Sequence, residues 1–212
     1  MDLKTEADRP NAVKWLRILI CMKLISILNS LLDLLPFVPA FLITLLSFAG
    51  MAASVLCLFR LASYQERYRK AALFRIGALV CVLFSPLFFS SALVALASAV
   101  FSVLALYQEY YGHAGLIEDM DDDLAHKWGK LFLWSLVAGA LTGIGTVTAT
   151  LVVAMSALDA GMITAVVVAV FKAVQTVIDV LYILYLRKTA AAYACAEDAT
   201  LRGFDSGSDT NE

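Results

Sequence analysis

The sequence predicts an all-α, six-span polytopic transmembrane bundle, and three observations predict it. Hydrophobic residues make up 61% of the 212 and charged residues 16%, where a soluble domain carries about 45–50% and about 25%. The apolar residues fall in long intervals almost free of charge, and an α-helix needs about 20 such residues to cross a hydrocarbon core of about 30 Å. The basic residues gather in short clusters at alternate junctions between those intervals, as the positive-inside bias requires. The expected surroundings are the lipid bilayer. A formal net charge of −2 with no separate basic domain gives no reason to expect a nucleic-acid partner.

Residues 1–12 read as a cytoplasmic leader and 13–193 as the membrane domain. The first span, about 13–35, ends at Pro36; it contains Lys23, Asn29 and Asp33 and has no small-residue cleavage site behind it. It is therefore expected to stay as a membrane helix and not to act as a removable signal. The second span, about 39–62, follows across Leu-Pro-Phe-Val-Pro, a short hairpin turn. The third, about 71–84, is short and carries Arg75, and Pro86 separates it from the fourth, about 91–106. The fifth, about 131–155, and the sixth, about 162–186, are joined by Ser-Ala-Leu-Asp-Ala-Gly. The polar tail 194–212 reads as disordered.

Fourteen of the sixteen basic residues fall at the two ends, in the second connection and in the fourth. Both termini are therefore expected on the cytoplasmic side of a cytoplasmic (inner) membrane. Tyr64-Gln-Glu-Arg-Tyr-Arg-Lys-Ala71 and Tyr107-Gln-Glu-Tyr-Tyr-Gly-His-Ala114 share five identities in register. They suggest three tandem two-helix hairpins, the third diverged; the competing reading is that such residues are common at a membrane interface.

The two remaining cations, Lys23 and Lys172, lie inside spans, where a lysine costs on the order of 2.5–3.5 kcal/mol on insertion scales and seeks a partner or a wet cavity. Helical spacing puts Lys23, Ser26, Asn29, Ser30 and Asp33 on one stripe of the first span, and Lys172, Gln175, Thr176, Asp179 and Tyr182 on one stripe of the sixth. Counted from Arg17 and Arg187, the depths match Lys23 with Asp179 and Asp33 with Lys172. The expectation is that the first and last helices close the bundle through these two pairs. The charges then form a structural clamp, a hydrated site for an ion or small polar solute, or a lysine that simply snorkels to the interface.

Gly139, Gly143 and Gly145 form a G-x-x-x-G with a further glycine, a pattern that lets a neighbouring backbone come close, within the chain or in a homo-oligomer. The polar interval 107–130 reads as a cytoplasmic contact loop, with Tyr107, Glu109, His113, Asp121, Asp123, His126 and Trp128 as candidate contacts for a cytoplasmic or membrane protein partner. Its alternating aspartates lack the glycine and the closing glutamate of a calcium loop. Glu109, His113 and His126 are a weak basis for a metal site, so neither a metal nor a cofactor is expected. Asp122 or Asp123 is the expected cap of the helix leading into the fifth span. The four cysteines form no C-x-x-C pair and read as small buried hydrophobes.

No catalytic signature is present. The expected role is a non-enzymatic membrane interaction or accessory component, with a small transporter or channel for an ion or small polar solute as the alternative.

Overall fold

The computed structural model describes residues 9–32, 39–84, 91–155 and 160–205. They form six helices: α1 (Arg9–Leu32), α2 (Ala40–Leu61), α3 (Glu66–Phe84), α4 (Ser91–Ile117), α5 (Asp122–Met155) and α6 (Ala160–Asp205). Four stretches are long and apolar enough to cross a membrane, Ala12–Leu32, Phe41–Leu61, Leu93–Ile117 and Ala169–Cys195. The chain is a multi-pass membrane protein of all-helical class.

Each helix packs on its neighbour in the chain, and α1 returns to pack along α6, which closes the ring; α4 also touches α6 across it. The most intimate contact is α3 with α4. Glycines explain the closeness: a Cβ on Gly77 would meet the Phe101 ring at 3.3 Å, and one on Gly112 would meet the Tyr68 ring at 3.1 Å. Without a hydrophobic drive between helices in lipid, small residues and polar contacts decide which helices meet.

The expected loop 107–130 is corrected. Residues up to Ile117 complete α4, and only 118–121 turn before α5 begins at Asp122. The apolar face of that interval explains it, since Tyr110, Leu116, Ile117, Leu124, Trp128 and Leu131 are all buried. Asp121, not Asp122 or Asp123, caps α5: its Oδ1 accepts from the Leu124 amide at 2.9 Å. Asp122 and Asp123 instead occupy the first turn, where negative charge suits the helix dipole.

A second correction concerns the tail, because α6 runs on to Asp205 through residues 194–205. The Ala-rich run after Thr189 has high helix propensity, and Ala190 and Tyr193 are buried against the core. A third concerns the internal repeat. Tyr64 lies in the turn after α2, whereas Tyr107 lies ten residues before the end of α4, so the two matched octets do not occupy equivalent places.

The core lies at one end of the ring. Leu16 and Leu19 of α1, Leu58 and Leu61 of α2, Tyr68 of α3, Tyr110 of α4, Trp128 of α5 and Tyr182 and Leu186 of α6 converge there, almost wholly buried. Because the helices alternate in direction, these positions all belong to the end that holds the start of α1. At the far end the same helices present Leu28, Phe41, Leu83, Leu93 and Ile144 outward.

Candidate functional site: a buried polar network beside a cationic cavity

Five helices supply the site. Glu109 and His113 are four residues apart on α4, so they stand one above the other on a single face, and both are completely buried. Helix α3 brings Tyr68 and Arg75, seven residues apart and therefore also on one face; α6 brings Tyr182, α5 brings Trp128 and α2 brings Ser54.

The polar atoms form one connected chain. The Tyr182 hydroxyl donates to Glu109 Oε1 at 2.6 Å and lies 2.7 Å from His113 Nε2. Tyr182 has one hydroxyl proton, and giving it to Glu109 leaves its oxygen to accept from His113. In the neutral imidazole Nε2 therefore carries the hydrogen, and Nδ1 accepts from the Tyr68 hydroxyl at 2.7 Å. The other carboxylate oxygen of Glu109 accepts from Arg75 in a buried ion pair, and Arg75 Nη1 donates to Ser54 Oγ at 2.7 Å. Aromatic rings wall the network off: Trp128 stacks on His113 at 4.6 Å between centroids and donates from Nε1 to Thr189 Oγ1 at 3.1 Å.

Such a chain links α2, α3, α4 and α6, and it satisfies each polar group that it takes out of lipid and water. The branch from Tyr68 through His113 and Tyr182 and the branch from Arg75 both end on Glu109, whose carboxylate accepts from each, while Arg75 Nη1 donates the other way, to Ser54. A lipid-filled gap in its place would leave Arg75 unpaired, so the network requires close packing.

Beside it lies a cavity of about 420 Å³ between α1, α2, α3 and α4. Lys23 and Arg75 line it, together with Ser26, Asn29, Ser30, Ser47, Ser54 and Ser102. Asn29 crosses to α2 by donating from Nδ2 to Ser47 Oγ at 2.6 Å. Its Oδ1 is buried and has no hydrogen-bond partner among the described residues.

Lys23 lies with its ammonium 4.5 Å from the centre of the Tyr182 ring. It senses the charges of Asp179 and Glu109, but its close contact is the ring and not the Asp179 carboxylate. The expected partner of Lys172, Asp33, lies outside the described residues. Of Gly139, Gly143 and Gly145, only Gly145 meets a described neighbour, since a Cβ there would run into the Phe171 ring of α6; Gly139 and Gly143 face open space. The close approach within the chain is therefore at Gly145, and the Gly139 and Gly143 pair has no described neighbour against it.

Among the expected contact residues, Glu109, His113 and Trp128 are buried and unavailable to a partner. Tyr107 stacks on Tyr111 and on Phe132. Asp121, Asp123 and His126 are exposed. Asp123 receives the Lys127 ammonium one turn on; that hydrogen bond holds the Asp123 carboxyl below its ordinary range and raises the Lys127 ammonium above its own. Glu109 and His113 are bridged by a tyrosine hydroxyl, and exposed His126 does not join them.

Sequence reasoning missed Arg75 and Tyr68 as members of the site. The signal was there: Arg75 stands alone among apolar residues well past the basic cluster of α3, at a spacing of seven from Tyr68. The chain matches no family model, no curated protein and no solved structure, so its own residues carry the functional reading.

Proposed function

We propose that this protein is a small carrier or channel for a polar solute, non-enzymatic, with six membrane spans and both termini on the cytoplasmic side of a cytoplasmic membrane. The observation that carries the reading is the 420 Å³ cavity inside the apolar bundle, lined by two cations and a set of hydroxyl and amide groups. Polar lining at membrane depth is costly unless it meets water or a solute, and the volume lies in the range of small-molecule sites, about 300–1,000 Å³. The clustering of basic residues at the core end supports the orientation. The interaction-component reading loses Glu109, His113 and Trp128 to the core and keeps only the exposed turn around Asp121.

Thiol accessibility tests the proposal. With the native cysteines Cys21, Cys57, Cys81 and Cys195 replaced by serine, Ser26→Cys and Ser47→Cys are expected to react in native vesicles with a membrane-impermeant methanethiosulfonate. Leu45→Cys, on an exposed apolar position of the same α2, is expected to stay unmodified. Failure of both cavity positions to react would show a site closed to water and would end the carrier reading.

A further inference from the structure

We infer that the cavity is a binding site for a small organic anion that carries a hydroxyl or amine hydrogen-bond donor at its far end, a substrate class that rests on the carrier reading and deepens it. The cavity wall has two polar ends. At one end stand Lys23 and Arg75, and among the described residues no aspartate or glutamate lines the cavity. Glu109 and Asp179, which balance these cations, lie behind them on α4 and α6. A solute in the cavity therefore meets the cations first. Lys23 has an aromatic face as its close contact, which attracts a cation but leaves its N–H groups for an anion. Arg75 uses one N–H on Ser54 and one on Glu109, and the rest of its fork remains for a bound carboxylate.

At the other end Asn29 gives both its side-chain donor contacts to α2, to Ser47 Oγ at 2.6 Å and Ile43 O at 3.4 Å. Its carbonyl oxygen is buried, and among the described residues no donor pairs with it. A buried acceptor of this kind is expensive to leave unmade. A solute hydroxyl or amine N–H would complete it.

The two ends are six residues apart on α1 and seven apart on α2, from Ser47 to Ser54. At 1.5 Å per residue that is about 9–10 Å. Ile25, Leu46 and Met51 wall the space with apolar surface. The complementary solute has an anionic head, an aliphatic middle and a donor about 9–10 Å away.

The test uses ω-hydroxycarboxylates of increasing chain length, with alkanoates and α,ω-diols of the same lengths, titrated onto the purified full chain in detergent with thermal unfolding as the readout. One chain length is expected to raise the melting temperature most, and its apparent Kd should be about tenfold below that of the matching alkanoate or diol, the value of one hydrogen bond or more. Asn29→Leu is expected to make hydroxy acid and alkanoate equivalent. Lys23→Gln is expected to weaken both acids about tenfold and leave the diol unchanged, while Lys23→Arg keeps acid binding. Should Lys23→Gln fail to fold, the Asn29→Leu comparison decides alone.

Equal binding of acids and diols, no binding by any probe, or an unchanged order in the Asn29→Leu protein would overturn the assignment. Displacement of the acids by phosphatidylglycerol that binds more tightly and depends on Lys23 would also overturn it, and would make the occupant a lipid headgroup. Binding with these dependences but without uptake into proteoliposomes would leave the site standing and remove the carrier reading. Thiol access to the cavity without binding would do the reverse.

Discussion

At the core end of the ring Tyr68, His113, Trp128 and Tyr182 have no exposed surface, whereas at the far end Phe41, Leu93 and Ile144 are 72%, 67% and 65% exposed. The same six helices build both ends. They differ in what holds the helices together. Near the core end, side chains with both an apolar body and a polar tip converge, so each helix is tied by hydrogen bonds as well as by contact. At the far end the side chains are apolar without a polar tip, and lipid solvates them as well as another helix would. The cavity lies where these two regimes meet: its cations belong to the network end and its Asn29–Ser47 link is a polar tie of the far end.

The comparison breaks most visibly at Glu109. Glu109→Leu removes the partner of a buried guanidinium and is expected to lower stability by about 3–5 kcal/mol, read as a fall in melting temperature in detergent. The double change Glu109→Leu with Arg75→Leu should recover much of that loss, because no charge is then left uncompensated. If the double variant is as poor as the single, the pair is not what holds α3 to α4.

Tyr182→Phe keeps the ring under Lys23 but deletes the hydroxyl shared by His113 and Glu109. About 1–3 kcal/mol of stability should go with it, since a buried donor and a buried acceptor lose their partner. Gly112→Ala, with the Tyr68 ring at 3.1 Å from the added methyl, is expected to be destabilising by about 1–3 kcal/mol through overpacking. A smaller effect would mean that the Tyr68 ring gives way without loss of its bond to His113.

Asn29→Leu sharpens the contrast from the other side. It removes the donor contacts to Ser47 and to the long-range Ile43 carbonyl together with one unsatisfied acceptor, so a change in melting temperature equivalent to only about 0.6 kcal/mol is expected. A loss comparable to that of Tyr182→Phe would show that the far end depends on polar ties as much as the core end does.

The smallest effect belongs to the exposed pair Asp123 and Lys127. The lowered Asp123 carboxyl adds stability above its ordinary value of 3.8 that is lost as pH falls through its lower folded value. The raised Lys127 ammonium adds stability below its ordinary 10.5 that is lost as pH rises through its higher folded value. Between those limits neither group titrates, and both are fully exposed to salt screening. The difference in melting temperature between Asp123→Asn and the parent should therefore be small and constant from pH 6 to 8, as a buffer series would show.

Much of the architecture was legible in the chain because hydrophobicity and helical spacing are local properties. The apolar intervals, the stripe from Lys23 to Asn29 on α1 and the stripe from Asp179 to Tyr182 on α6 could be read from spacing alone. The interval 107–130 was misread because six carboxylates and two histidines in so short a stretch look like a surface. Glu109 and His113 are buried for a reason that no local pattern contains: Arg75 and Tyr68, some 34 and 45 residues earlier, and Tyr182, some 70 later, supply their partners. Whether Gly143 finds a neighbour was not legible for a similar reason, since whether a small residue meets another helix depends on the direction that its face takes in the ring.

The sequence by itself determined that this is a multi-pass helical membrane protein, because transfer of apolar side chains from water to lipid depends on composition over about 20 residues and on nothing further away. Only the tertiary structure decided that Glu109 and His113 are core and not surface, and that Lys23 and Arg75 share a cavity wall. Those outcomes depend on which helices become neighbours, and in lipid that choice rests on the few polar and small side chains that find one another across the closed ring.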